Sequence, residues 1–208
     1  MGLTDRGREQ AGTVAQRLHS LTIARAVSSP LQRCAETAAI ALAGLEVDTD
    51  DRLGECHYGA WTGLPLAEAA ADDLWRVVQD DPASARFPSH EVFRAESLRE
   101  MGDRVVGAVR ALDAEVEAVH GTGAVWVAVS HGDPIKAVVA EAVGAGLSGL
   151  QRVRVDPGSV SAVQITPSRM VLLASNTAQG DLRALVSVPR HTPSGDSEIG
   201  GGAGGSTD

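Results

Sequence analysis

The chain has 208 residues, 43% of them hydrophobic and 22% charged, a composition ordinary for a globular domain and a length sufficient for one sizeable core. Its formal net charge of −9 argues against a general nucleic-acid binder, which needs a basic face. No apolar run approaches the ~20 residues of a membrane span and the first residues carry no secretory pattern, so the expected setting is cytoplasmic, away from membranes.

In chain order, Thr4 reads as the N-cap of a helix whose apolar stripe is Leu3, Ala11, Val14, Ala15 and Leu18. Ile23–Ser28 reads as a short strand, Ser29 and Pro30 as a junction, and residues 31–42 as a second helix ending near Gly44. After an extended piece around Val47, residues 51–63 (DRLGECHYGAWTG) contain Gly54, Gly59 and Gly63 and mark a loop. Residues 64–78 read as helix. Residues 80–97, with Pro82 and Pro88, form a polar connection whose length suits a lid or a binding segment.

Leu98–His120 carries Met101, Val105, Val106, Val109, Leu112 and Val116 at helical spacing and reads as a long amphipathic helix. Residues 124–129 (AVWVAV) are short, apolar and turn-bounded, as in a strand buried on both faces. Beyond Ser130-His131-Gly132-Asp133, Pro134 opens a helix with Ile135, Val138, Val139, Ala142 and Val143 on one face. Residues 153–155, 160–165 and 170–173 read as antiparallel strands around a turn at 156–159. One domain over residues 1–188 is expected, followed at 189–208 by a tail rich in Gly, Ser, Thr and Pro that is expected to be disordered.

His131 thus stands between the carboxyl end of a strand and the amino end of a helix. In an open α/β sheet ligands bind there, because the crevice lies outside the strand ends and the helix's first N–H groups attract anions. SSPLQR at 28–33 repeats the layout of VSHGDP at 129–134, so two such junctions would face one crevice. On placement alone, a packed core histidine and a ligand-binding histidine carry equal weight.

Four segments decide between them: GLTDRGREQA near the start, SSPLQRCAETA at 28–38, LGECHYGAWTG at 53–63 and VSHGD at 129–133. In order and spacing they resemble the histidine phosphatase superfamily, also called phosphoglycerate mutase-like, and in particular its bacterial phosphomutase branch. The resemblance runs from Gly2 to about Asn176. It implies a three-layer α/β/α fold around a mixed, mostly parallel sheet. It also implies in-line attack of a neutral imidazole on a phosphomonoester, with a phosphohistidine that is then hydrolysed or passed on. No metal and no cofactor belong to this scheme, and the implied partner is a small phosphorylated metabolite, with no nucleic acid and no membrane.

Residue by residue, the resemblance implies Arg33 as the fork-shaped phosphate clamp, a geometry a lysine lacks. It implies His131, with the Gly132 N–H, as contacts to the phosphoryl group. Glu55 is implied as the acid that protonates the leaving oxygen and later takes a proton from water. Gly59, Trp61 and Gly63 match the loop pattern and read as architectural. His57 reads as an exposed loop histidine, and Cys34 as a small apolar filler rather than a nucleophile. Two cysteines, Cys34 and Cys56, are too few for a disulfide framework or a zinc site. The stretch 94–104 departs from the glycine–glutamate pattern usual before the long helix and receives no assignment.

The family's Arg-His-Gly, whose histidine is the nucleophile at the end of the first strand, does not occur in the 208 residues. The expectation is therefore a sheet lacking its first strand, a chain inactive as written, and a cellular protein that begins upstream of Met1 and supplies the nucleophile. The reason is energetic: removing a central strand leaves two rows of unpaired backbone groups, a cost beyond a marginal stability of ~5–15 kcal/mol. The leading reading is a metal-independent phosphomonoester hydrolase. The alternatives are a phosphoglycerate mutase-like phosphomutase and a noncatalytic phospholigand-binding protein, and a lone strand edge offers two chains a way to pair as a homodimer.

Overall fold

The computed structural model describes residues 2–183, so the expected tail at 189–208 lies outside the described residues. Helix α1 (Asp5–Leu18) starts where the Thr4 hydroxyl accepts the Gly7 N–H at 3.2 Å and buries Ala11, Val14 and Leu18. Strand β1 (Ile23–Ser28) and helix α2 (Gln32–Ala41) follow as the spacing predicts. Helix α5 (Leu98–His120) opens with a capping box, Ser97 and Glu100 each taking the other's backbone N–H, and stops at Gly121, whose φ of 85° only glycine adopts freely. Among the described residues no helix is long and apolar enough to cross a membrane.

Strand β1 lies between β2 (Val47–Thr49) and β3 (Val125–Val129), parallel to both. Its alternating side chains reach two cores. Ala26 joins Val14, Leu18, Ala38 and Leu42 beneath α1 and α2, while Val27 joins Met101, Val105, Leu112 and Val138 beneath α5 and helix α6 (Gly132–Ala142). The result is the three-layer α/β/α arrangement. An antiparallel pair, β4 (Val160–Ile165) and β5 (Met170–Thr177), feeds the same two cores through Val160 on one side and Val163, Ile165 and Met170 on the other.

Three expectations need correction. The predicted helix at 64–78 is two helices, α3 (Leu66–Ala69) and α4 (Asp73–Asp80). Asp72 breaks it, accepting the Leu74 N–H on one oxygen at 2.9 Å and the Trp61 indole N–H on the other at 3.1 Å, so a new N-terminus forms mid-run. Residues 153–155 form no strand: they leave a 3₁₀ turn (Gly146–Arg152), and the next amide, Asp156 N–H, is taken by the Asn176 side chain at 2.7 Å instead of a ladder. Strand β3 is not buried on both faces. Among the described residues it pairs along one edge only, with β1, leaving its residues half-buried and Ala128 exposed. β4 likewise pairs only with β5, so the sheet is split in two.

The connection at 80–97 is held rather than free. Phe87 is buried in the core, and antiparallel bridges join Tyr58 to Ala95 and Arg86 to Ser97, leaving residues 88–94 exposed. Gly59 makes the bridge possible. With φ of 52°, its amide reaches the Arg94 carbonyl at 3.0 Å, and a Cβ there would run into the Pro88 carbonyl. Gly59→Ala is expected to cost about 2–4 kcal/mol in urea unfolding, through both φ strain and collision.

Candidate active site

The site is built where β1 and β3 end side by side. Ser29 N–H donates to the Val129 carbonyl at 2.9 Å, extending the parallel ladder one residue and setting the two strand-to-helix junctions next to each other. His131 is the N-cap of α6 and is 5% exposed; its Nε2 lies 2.7 Å from the buried Ser29 hydroxyl. The Cys34 thiol, from the first turn of α2, packs on the same ring with its sulfur 3.5 Å from Nε2. Ser130 donates its hydroxyl proton to the Leu53 carbonyl at 2.7 Å, tying the 51–63 loop to this point.

That loop delivers Glu55. Its Oε2 sits 3.6 Å from Arg33 Nη2 and 3.9 Å from His131 Nδ1, and its Oε1 accepts the Cys56 N–H at 3.1 Å. Arg33, in the first turn of α2, keeps 44% of its side chain exposed, so its fork is open to an incoming anion. The structure therefore gathers Arg33, Glu55 and His131, three residues separated by up to 98 positions, and Gly132 opens α6 beside them.

Burial governs the electrostatics. Removal from water pushes His131 down to about 4, with the Arg33 and Arg104 cations adding to the effect, so the imidazole is neutral at pH 7. Its 3.9 Å approach to Glu55 is accordingly not an ion pair. Burial moves Glu55 the other way, above the usual carboxylate range, and the Asp133 charge adds to this against the Cys56 amide, Arg33 and Tyr58. The Cys34 thiol is raised to about 11 by burial in spite of Arg33, so it stays protonated and fills space, as expected. Tyr58 donates to Asp133 Oδ2 at 2.9 Å while Lys136 holds Oδ1 at 3.1 Å.

Ser29, Tyr58, Asp133, Glu96 and Arg104 went unassigned in the sequence. Ser29 and Asp133 stand inside the quoted segments and could have been read as neighbours of the site. Glu96 and Arg104 carry no such signal, since their contacts with residues 52–57 cross 39 positions from Glu96 to His57 and 50 from Arg104 to Gly54. His57 is half-buried rather than exposed, its backbone held by Glu96. Trp61 is architectural, edge-on to Phe87 with ring centres 5.4 Å apart.

The profile of the histidine phosphatase superfamily (branch 1) matches residues 1–178, and the chain belongs to this family. It is 37% identical over 168 residues to a bifunctional protein of Mycobacterium tuberculosis, covering 77% of this chain but only 42% of that protein. Phosphoserine phosphatase 1 of Hydrogenobacter thermophilus is 33% identical over 179 residues, covering 84% of this chain and 80% of its own. Probable phosphoglycerate mutase of Yersinia pestis is 30% identical over 198 residues, covering 90% and 87%. Among solved structures, mycobacterial glucosyl-3-phosphoglycerate phosphatase with inorganic phosphate superposes with a TM-score of 0.71 at 27% identity, over 85% of this chain and 87% of that one.

Because the folded state raises Glu55, it holds that proton more tightly than the unfolded chain does. The group therefore favours folding at low pH and opposes it as pH rises through its raised value. Glu55→Gln is expected to be the more stable chain in denaturant unfolding at pH 7, with the gain shrinking as pH falls through the carboxyl's titration.

Proposed function

We propose that this chain forms the phosphoryl-binding site of a metal-independent phosphomonoesterase. The carrying observation is the convergence of an open guanidinium, a buried neutral imidazole and a carboxyl raised above its ordinary range, with Glu55 Oε2 3.6 Å from Arg33 and 3.9 Å from His131. Arg33 takes two phosphoryl oxygens at once. His131 and the Gly132 N–H take the others, and the dianion's charge offsets the burial that keeps the imidazole neutral. Glu55, holding its proton at higher pH than a free glutamate, protonates the leaving oxygen and later receives a proton from water.

In this reading the phosphoryl group passes through a phosphohistidine formed on a histidine other than His131, whose place is beside the phosphoryl group rather than in line with the leaving oxygen. Hydrolysis is favoured over mutase transfer because the half-exposed Arg33 leaves the site open to water, which a mutase has to exclude.

The test uses the protein isolated from its own cells, with its N-terminal peptide mass determined first. Phosphate release from a panel of small phosphomonoesters is the expected result. Movement of phosphate between positions of phosphoglycerate without release would make it a mutase, and saturable phosphate binding with no turnover of any substrate would make it a binding protein. Arg33→Ala is expected to weaken inorganic phosphate binding about 10–100-fold by calorimetry, with Arg33→Lys recovering only part of it.

A further inference from the structure

The 51–63 loop buries Leu53 and Cys56 and carries the one carboxyl that the proposed reaction needs; within the loop the Cys56 N–H meets that carboxyl, and much of what fixes the loop's backbone comes from elsewhere in the chain. The fixing comes from α5 and the residue before its cap. Arg104, on the second turn of α5, sends Nη1 to the carbonyls of Arg52 (2.8 Å) and Gly54 (3.1 Å), and Nη2 to that of Glu55 (3.3 Å). The same Nη2 meets Glu96 Oε1 at 2.6 Å and Nε meets Oε2 at 3.3 Å, a forked pair with 19% and 11% of the two side chains exposed. Glu96 then closes the other side: its Oε1 accepts the His57 N–H at 3.0 Å and its own N–H donates to the His57 carbonyl at 2.9 Å.

The pair thus grips the backbone immediately before Glu55, at Glu55 and two residues after it, with partners at residues 52, 54, 55 and 57. We infer that Arg104 and Glu96 are positioning residues that aim the Glu55 carboxyl at Arg33 and His131. The planar guanidinium is required, because a single ammonium cannot span a carboxylate and three carbonyls. The catalytic meaning of this aim rests on the phosphomonoesterase reading; the aim itself does not.

The groups facing the Glu55 carboxyl are Arg33 from α2, His131 from the β3–α6 junction, Asp133 from α6, and Tyr58 and the Cys56 amide from its own loop. Loss of the Arg104 cation alone would raise the Glu55 titration by Coulomb's law. Loss of position would hydrate the carboxyl and lower it. The two roles therefore predict opposite signs.

The experiment is a ¹³C NMR titration of Glu55 in glutamate-labelled full chain, assigned by the signal lost in Glu55→Gln. Arg104→Met is expected to lower the midpoint by about one pH unit, and Arg104→Lys, which keeps the charge and loses the fork, to lower it in the same direction. Val105→Ala, a core truncation on the same helix, is the control: it is expected to lower the melting temperature and leave the Glu55 midpoint where it was. A folded Arg104→Lys with an unchanged or raised midpoint overturns the inference. Absence of phosphate binding or turnover in the unaltered protein would instead overturn the phosphomonoesterase reading and leave the clamp standing.

Discussion

The parallel pairing of β1 with β3 is the constraint on which the site depends. Once Ala26 is opposite Val127 and Ser28 opposite Val129, the hydrogen bond from Ser29 N–H to the Val129 carbonyl ends both strands at one level. Two helices then depart from one edge, and the side chains at their first turns, Arg33 and His131, share a crevice without any loop having to carry them there. A slip of one residue would move Val27 from the α5 side to the α1 side and turn Ser29 away from His131, so packing and site share one register.

Glu55 is the member that strand pairing does not supply. It arrives on an irregular segment, and three separate ties hold that segment down: the Ser130 hydroxyl on Leu53, Arg104 on the carbonyls of residues 52–55, and Glu96 on His57. A carboxyl removed from water opposes ionisation, and an imidazole removed from water opposes protonation, so the same burial raises Glu55 and lowers His131. One environment thereby shifts a base and an acid in opposite directions, with Glu55 Oε2 3.9 Å from His131 Nδ1, the kind of tuning that acid–base work on a phosphate ester draws on.

The split sheet follows from the same layering. Val127 and Val129 of β3 share one core with Val160 of β4, and Trp126 shares the other with Val163 and Ile165, so both sheets belong to a single middle layer although no ladder joins them among the described residues. Side-chain packing from α6 and the 3₁₀ turn at Gly146–Arg152 holds them in one body.

Much of this was legible in the residue order, because the signals were local. The Thr4 cap, the β1 run and the apolar stripe of α5 each depend on neighbours within a few positions and stand where the pattern put them, and the helix expected to open at Pro134 begins two residues earlier, at Gly132. The candidate residues Arg33, Glu55 and His131 were legible from resemblance, and strand-end logic explains why two of them meet. What tertiary structure alone decided was long-range. Asp72 ends a helix because Trp61 draws on it from outside, residues 153–155 miss a ladder because Asn176 takes the next amide, and among the described residues β3 is paired along one edge only. The Arg104–Glu96 grip belongs to the same class. A guanidinium's five donors can be satisfied by any carbonyls within reach, and which ones come within reach is settled only when α5 packs against the loop.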